Sequence, residues 1–289
     1  MSDAGVTLSF EVFPPKNDAG AEKLWHAIEQ LSRLGPKFVS VTCGAGGSAI
    51  DGTSATVDHI RKQFDIDAVP HIAIARQSKK RVREALRNYK KAGVRRVVAI
   101  RGDPSLVPEP IAEDDQYPNT VDFVRELKNE FTLEPIVAAY PDVHPCALSP
   151  QQDLDHLKRK AEAGAVLAIS QFFFLAETFL RFRDKVRAAG INIPLAPGIM
   201  PIHNFDQTIK FAKECGTALP DGFGKRFERH GADAKALFDE GVTHSVEVCE
   251  RLRREGVMHF HFYVLNRSEM VEAICEKLNL TGAANGICH

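Results

Sequence analysis

Residues 135–171 read PIVAAYPDVHPCALSPQQDLDHLKRKAEAGAVLAISQ. The stretch opens with a short β-branched and apolar run, 135–139, of the length and composition of a buried strand. Ser149-Pro150 then has the chemistry of a helix start, and residues 149–163 carry apolar positions at helical spacing until Gly164 ends them. A second strand-like run, 167–171, follows at once. Strand, helix and strand in this order form a βαβ unit, whose two strands lie parallel in one sheet.

Working outward, the same alternation fills the chain. Strands are expected at 8–13, 38–42, 68–74, 97–101, 135–139, 167–171, 193–198 and 258–263. Helical patterns lie at 18–34, 54–64, 78–92, 119–131, 149–163, 176–189, 204–215 and 233–255, with a last helix at 268–278. Eight such units predict a closed (β/α)8 barrel, the TIM-barrel form of the α/β class. No linker or low-complexity segment breaks the 289 residues, so a single catalytic domain spanning 1–289 is expected. Residues 216–231 read as a loop or short-helix insertion and 279–289 as a short tail.

The composition excludes several functions. A formal net charge of -1 lacks the basic excess that nucleic-acid binding calls for. No apolar run approaches the ~18 residues of a membrane span. Met1-Ser2-Asp3-Ala4-Gly5 has neither the positive flank nor the apolar stretch of a signal peptide. The six cysteines form no C-x-x-C pair, so reduced thiols and a cytoplasmic location are expected.

In a barrel of this kind the reactive groups sit at the C-terminal ends of the strands. Leu8, Phe10 and Val12 alternate with Ser9, Glu11 and Phe13. Both faces are mostly apolar, which predicts a buried Glu11 with a raised pKa, the state of a general acid; the plainer reading is a structural ion pair. Arg101-Gly102-Asp103 follow the fourth strand, where Gly102 lets a ligand approach the backbone. Asp153, His156 and Lys160 share a helix stripe with Arg159 adjacent, a grouping that suits a pyrophosphate and a ribose hydroxyl or else a solvated face. Gly44-Ala45-Gly46-Gly47-Ser48-Ala49 fits the dinucleotide fingerprint in spelling only, because the helical pattern resumes only near Ser54. His71, His144, His259 and His261 admit a metal-dependent hydrolase, although the H-x-H pair reads more simply as ordinary strand histidines. Phe172, Phe173, Phe174 and Phe211 are expected in the core, with ring stacking as a second role.

Nine motifs taken in order, among them SFEVFPPK (9–16), AIRGDP (99–104), AAYPDVHP (138–145), DLDHLKRK (153–160) and FHFYVLNRSE (260–269), closely resemble the bacterial methylenetetrahydrofolate reductases from Leu8 to Leu278. The resemblance implies a FAD-bound barrel that passes hydride from NADH or NADPH to flavin N5 and then to 5,10-methylenetetrahydrofolate by ping-pong kinetics, in one-carbon metabolism. It implies small-molecule partners, folate and a nicotinamide nucleotide, and a homo-oligomer. By the same resemblance Glu11 is the general acid and Asp103 the carboxylate beside flavin and pterin. FAD contacts are implied for Thr42, Ala45, His71, Arg101, Gly102, Asp103, Tyr140, His144, Asp153, His156, Arg159 and Lys160, more loosely for Tyr117. Gln171, Gln207, Phe211 and Arg267 match substrate positions. Cys43, His156 and Leu175 depart from the pattern of some relatives, which bears on flavin affinity and nucleotide preference.

Overall fold

The computed structural model describes residues 5–43, 49–75, 77–102 and 115–280, with 49–51 by their backbone. Among the described residues nine strands form one sheet: β1 Thr7–Val12, β2 Phe38–Val41, β3 Ala68–Ala73, β4 Arg96–Ile100, β5 Glu134–Ala139, β6 Leu167–Ser170, β7 Leu195–Ala196, β8 Gly198–Ile199 and β9 His259–Tyr263. Ten helices among the described residues run between and after them: α1 Asp18–Ser32, α2 Ala49–Phe64, α3 Lys79–Lys91, α4 Thr120–Asn129, α5 Pro150–Glu162, α6 Ala176–Ala188, α7 Phe205–Cys215, α8 Lys225–Glu228, α9 Ala234–Arg254 and α10 Glu269–Lys277.

Every strand pair is parallel, in the order β7-β6-β5-β4-β3-β2-β1-β9-β8. The two ends of that order are neighbours in the chain. Only Pro197 separates β7, bonded to β6, from β8, bonded to β9, so the sheet closes on itself. Pro197 has no N–H for the ladder, and its carbonyl instead accepts the His261 N–H at 3.0 Å. The seventh of eight expected strands is therefore one strand in two pieces.

Side chains alternate along each strand, and two cores result. Leu8, Phe10, Val12, Phe260 and Phe262 point outward and pack under the helices; a fully buried Phe among them contributes about 1.5–3 kcal/mol by area. Phe38, Val69, Val98, Ile136, Leu167 and Ile169 fill the lumen. A third cluster joins Phe172 and Phe174, just beyond β6, to Phe223 and Phe227 of the 216–231 segment. That segment holds α8, and buried Glu240 of α9 pins it by accepting from Arg226 at 2.7 Å, with His230 at 3.2 Å.

One sequence argument needs correction. Helix α2 begins at Ala49, not Ser54, so a delayed helix is no ground for rejecting the dinucleotide fingerprint. The topology excludes it instead: a closed barrel has no point at which the strand order reverses. Five cysteines lie among the described residues and all are unpaired. No described helix is long and apolar enough to cross a membrane.

Candidate active site

β1 sits between β2 and β9, with Glu11 in register with Ser40 on one side and Tyr263 on the other. The end of the strand is clasped twice. Val264 N–H donates to the Glu11 carbonyl at 3.2 Å. The Asn266 side chain accepts from Phe13 N–H at 2.8 Å and donates to Phe13 carbonyl at 3.0 Å. This backbone grip holds the Glu11 carboxyl in the lumen, with its side chain 14% exposed. Oε2 lies 3.4 Å from His71 Nε2 and 3.8 Å from His261 Nε2, and neither ring nitrogen has a hydrogen-bond partner.

The electrostatics favour a neutral nest. Burial raises the Glu11 pKa against a weaker lowering by His71. Burial likewise lowers His71, against Glu11, and pushes His261 down to about 3. At neutral pH the two rings are thus uncharged and the carboxyl is held toward its protonated form, able to give a proton to a basic atom placed at the mouth. His261, expected as an ordinary strand histidine, proves to be part of this group.

Next to the nest opens a cavity of about 590 Å³, built from the ends of β4 and β5, the loop after β5 and one face of α5. Gly102 turns at φ 78°, and a Cβ there would stand 2.8 Å from the Ala73 Cβ. The loop holds Val143 at φ 71°, a strained conformation for a β-branched residue. Two contacts set that loop: Asp153 accepts the His144 N–H at 3.0 Å, and the Tyr140 and His144 rings meet edge to face at 4.5 Å. Ser149 caps α5, as the sequence reading required, and so aims the stripe Asp153, His156 and Lys160 at the cavity. Lys160 is buried, donates to the Ala138 carbonyl at 2.6 Å, and is pushed down by burial to about 8. Burial and the neighbouring Lys160 and Arg159 hold His156 near 4. Arg101, Arg159 and Lys160 give one side of the cavity a cationic character.

The remaining expected residues separate by place. Gln171 lines the cavity and accepts from Phe172 N–H at 2.9 Å. Thr42 lies at the end of β2 with its buried hydroxyl unpartnered. Phe211 is half-buried on α7 beside the aromatic cluster, Gln207 is exposed on the same helix, and Arg267 is exposed after β9; none of the three lines the cavity. Tyr117 donates to Glu126 at 2.8 Å and packs on Phe123, away from the cavity lining. Ala45 and Asp103 lie outside the described residues. Nothing in the sequence points to Asn266, and there His261 reads only as a metal candidate or an ordinary strand histidine; the places of both depend on pairing the first strand with the last. Among the described residues no three His, Cys, Asp or Glu side chains gather as metal ligands.

A closed parallel barrel with a buried, protonatable carboxyl at its mouth and a partly cationic cleft beside it is the architecture of a barrel enzyme with its site at the C-terminal ends of the strands. The comparisons make this particular. The family model for Methylenetetrahydrofolate reductase matches residues 1–279. The chain is 41% identical over 275 residues to the 5,10-methylenetetrahydrofolate reductase of Salmonella typhimurium, and 40% identical to that of Escherichia coli K12; each match covers 95% of this chain and 91% of the relative. The chain belongs to the methylenetetrahydrofolate reductase family and is an oxidoreductase. Among solved structures, a Clostridium thermocellum protein described as binding two copies of 5-methyl-5,6,7,8-tetrahydrofolic acid superposes with a TM-score of 0.64 at 15% identity, covering 96% of this chain and 94% of that one. A dihydropteroate synthase from Xanthomonas albilineans gives 0.53 at 10% identity, covering 97% and 94%. At those identities the likeness concerns the fold.

Proposed function

We propose that this protein interconverts 5,10-methylenetetrahydrofolate and 5-methyltetrahydrofolate with FAD and NADH or NADPH, with Glu11 as general acid. The observation that carries the reading is the buried Glu11 carboxyl between two neutral imidazoles. Opening the methylene bridge to a 5-iminium cation requires protonation of the departing nitrogen, and a carboxyl whose pKa burial raises is suited to deliver that proton. Asp103, by family resemblance, supplies the negative charge that favours the cation.

The cleft suits a flavin dinucleotide. Gly102 leaves a backbone cradle that a side chain would fill, the cationic side chains match a pyrophosphate, and Thr42, outside the cavity lining, offers an unpartnered buried hydroxyl at the end of β2. Arg101, Arg159 and Lys160 would hold the pyrophosphate and Asp153 a ribose hydroxyl, with Thr42, His71, Tyr140, His144 and His156 around them, and Ala45, Asp103 and Tyr117 completing the family set. Bound there, the flavin would supply the two-electron exchange between nicotinamide and folate. Gln171, Gln207, Phe211 and Arg267 would meet the substrates. A flavin absorbance spectrum in the purified protein, bleached by NAD(P)H and restored by methylenetetrahydrofolate, tests the whole reading; a colourless protein that takes up no FAD would end it.

Two outcomes follow from the geometry. Lys160→Met should weaken FAD binding about ten- to a hundredfold, since a charge-assisted hydrogen bond is worth about 1.5–3 kcal/mol. In the wild type, affinity should fall as pH rises through about 8, where free Lys160 loses its proton, and the variant should lose that dependence. Fluorescence titration of the apoprotein measures both. Phe211→Leu should change both half-reactions by a few fold, because an aromatic stacking surface is worth about 0.5–1.5 kcal/mol beyond area. Initial-rate lines that cross rather than run parallel would contradict one site serving nicotinamide and folate in turn.

A further inference from the structure

One side of the cavity is formed where two segments far apart in sequence meet. The loop after β5 turns at His144, where the Ala147 N–H donates to the His144 carbonyl at 2.8 Å and the Cys146 N–H to His144 Nδ1 at 2.9 Å. Opposite it α7 ends at Cys215, one turn beyond Phe211, and Gly216 follows in the left-handed region at φ 69°. Cys146 and Cys215 both line the cavity, one from each segment.

The residues beside the two cysteines are already in contact. A Cβ on Gly216 would stand 2.8 Å from Pro145 Cγ, so the end of α7 packs directly on the proline ring. The Ala218 N–H adds an exposed hydrogen bond to Asp142 Oδ2 at 3.2 Å. A disulfide joins Cα atoms about 4.4–6.8 Å apart, a reach that calls for backbone contact of this kind. Both thiols also bear on the Tyr140 hydroxyl, which burial, Asp153, Cys215 and Cys146 together push up to about 12.

The two thiols differ in exposure. Cys146 is exposed on its loop, whereas Cys215 is partly buried against the cluster of Phe172, Phe223 and Phe227, and burial beside Glu214 pushes its thiol up. An oxidant from solvent therefore meets Cys146 first. The other described cysteines stand elsewhere, Cys43 near Glu11 and Cys249 and Cys275 buried in α9 and α10.

We propose that Cys146 and Cys215 are a thiol pair that closes to a disulfide across the flavin cleft and so slows exchange of the cofactor. The inference rests on the proposed function for the identity of that cofactor. With a low-molecular-weight disulfide as oxidant, the Cys146 thiolate attacks one of its sulfurs, forms a mixed disulfide and releases one thiol. The Cys215 thiolate then attacks the Cys146 sulfur and releases the second. Two protein thiols lose two electrons and two protons, and the oxidant gains them as two thiols. In a reducing compartment such a bond is transient, so it reports oxidising conditions and is no permanent staple. Its effect falls on the cleft, because it ties the turn that orients His144 to the helix that carries Phe211, and the two no longer move apart.

The test equilibrates the holoenzyme with oxidised glutathione and maps its disulfides by mass spectrometry. The first bond to form should join Cys146 to Cys215, and the oxidised protein should release FAD about tenfold or more slowly than the reduced, with dithiothreitol reversing the change. Cys146→Ser and Cys215→Ser should each release FAD at one rate with or without the oxidant. Cys146 held at the mixed disulfide, a bond to Cys288 instead, or equal FAD release from oxidised and reduced protein would overturn the proposal. A readout independent of the flavin is amide hydrogen exchange over residues 140–149, which should slow on oxidation of the wild type and of neither variant. Unchanged exchange there would sink the thiol pair even in an active reductase. A protein that forms the bond, protects that loop and takes up FAD in neither state would uphold the pair and remove the proposed function.

Discussion

On the proposed function, Glu11→Gln should keep its flavin, still accept reducing equivalents from NAD(P)H, and lose folate reduction by about 10²- to 10⁴-fold, the usual contribution of a positioned general acid. The amide has nearly the shape of the carboxyl and no proton to donate. Rapid-mixing measurement of the two half-reactions separates the steps, and folate reduction at the wild-type rate would remove Glu11 from its role. The same change should also alter stability with a definite sign. Because burial raises the Glu11 pKa in the folded state, its contribution is fully present below the ordinary value of 4.5 and is lost as pH rises through the raised value. The Gln variant escapes that loss, so its thermal midpoint should gain on the wild type as pH is raised from 4.5 toward neutrality.

Gly198→Ala should cost at least the roughly 3 kcal/mol at the upper end of ordinary overpacking. A Cβ at this position would stand 2.2 Å from the Ser170 carbonyl oxygen and 2.5 Å from Tyr263 Cε2. The first contact is backbone and cannot swing aside. Gly198 N–H also donates to Ser170 Oγ at 2.9 Å, so any shift loosens the joint where β8 completes the barrel. Gly52→Ala is the control, since its Cβ would meet only Pro14 Cβ at 3.7 Å within α2, where alanine is the better helix former. Melting curves should show Gly198→Ala far below the wild type and Gly52→Ala level with it or above. A Gly198→Ala midpoint equal to the wild type would contradict the closure at that joint.

The fold was legible because its signals are local. Each strand is a short apolar run beside a helix with its own punctuation, such as Ser149-Pro150 before α5, and the barrel follows from counting those units. Pro197 did not hide its strand, because the flanking residues keep their apolar character. The boundary of α2 was misjudged because a glycine-rich approach and Gly52 mask helical periodicity near its start. At the site, Glu11 stood out as a charge in an aromatic run, and the α5 stripe could be drawn from spacing. The Glu11, His71 and His261 group was not legible: it depends on the register of β1 against β9, and Ser9 and His261 are 252 positions apart. Phe211, Gln207 and Arg267 were placed by resemblance alone, and nothing in their local pattern says how near the cavity they stand.

The pairing of β1 with β9 has a meaning for the chain as it is made. Until residue 263 leaves the ribosome, one side of the Thr7–Val12 strand has no partner, and its neighbour there is synthesised last among the strands. At about 5–20 residues per second, that edge waits for roughly 10–50 s. An unpaired apolar strand is a template for joining other chains. The nascent protein therefore passes through a period in which it is both inactive and adhesive, and the arrival of one C-terminal strand ends both conditions together.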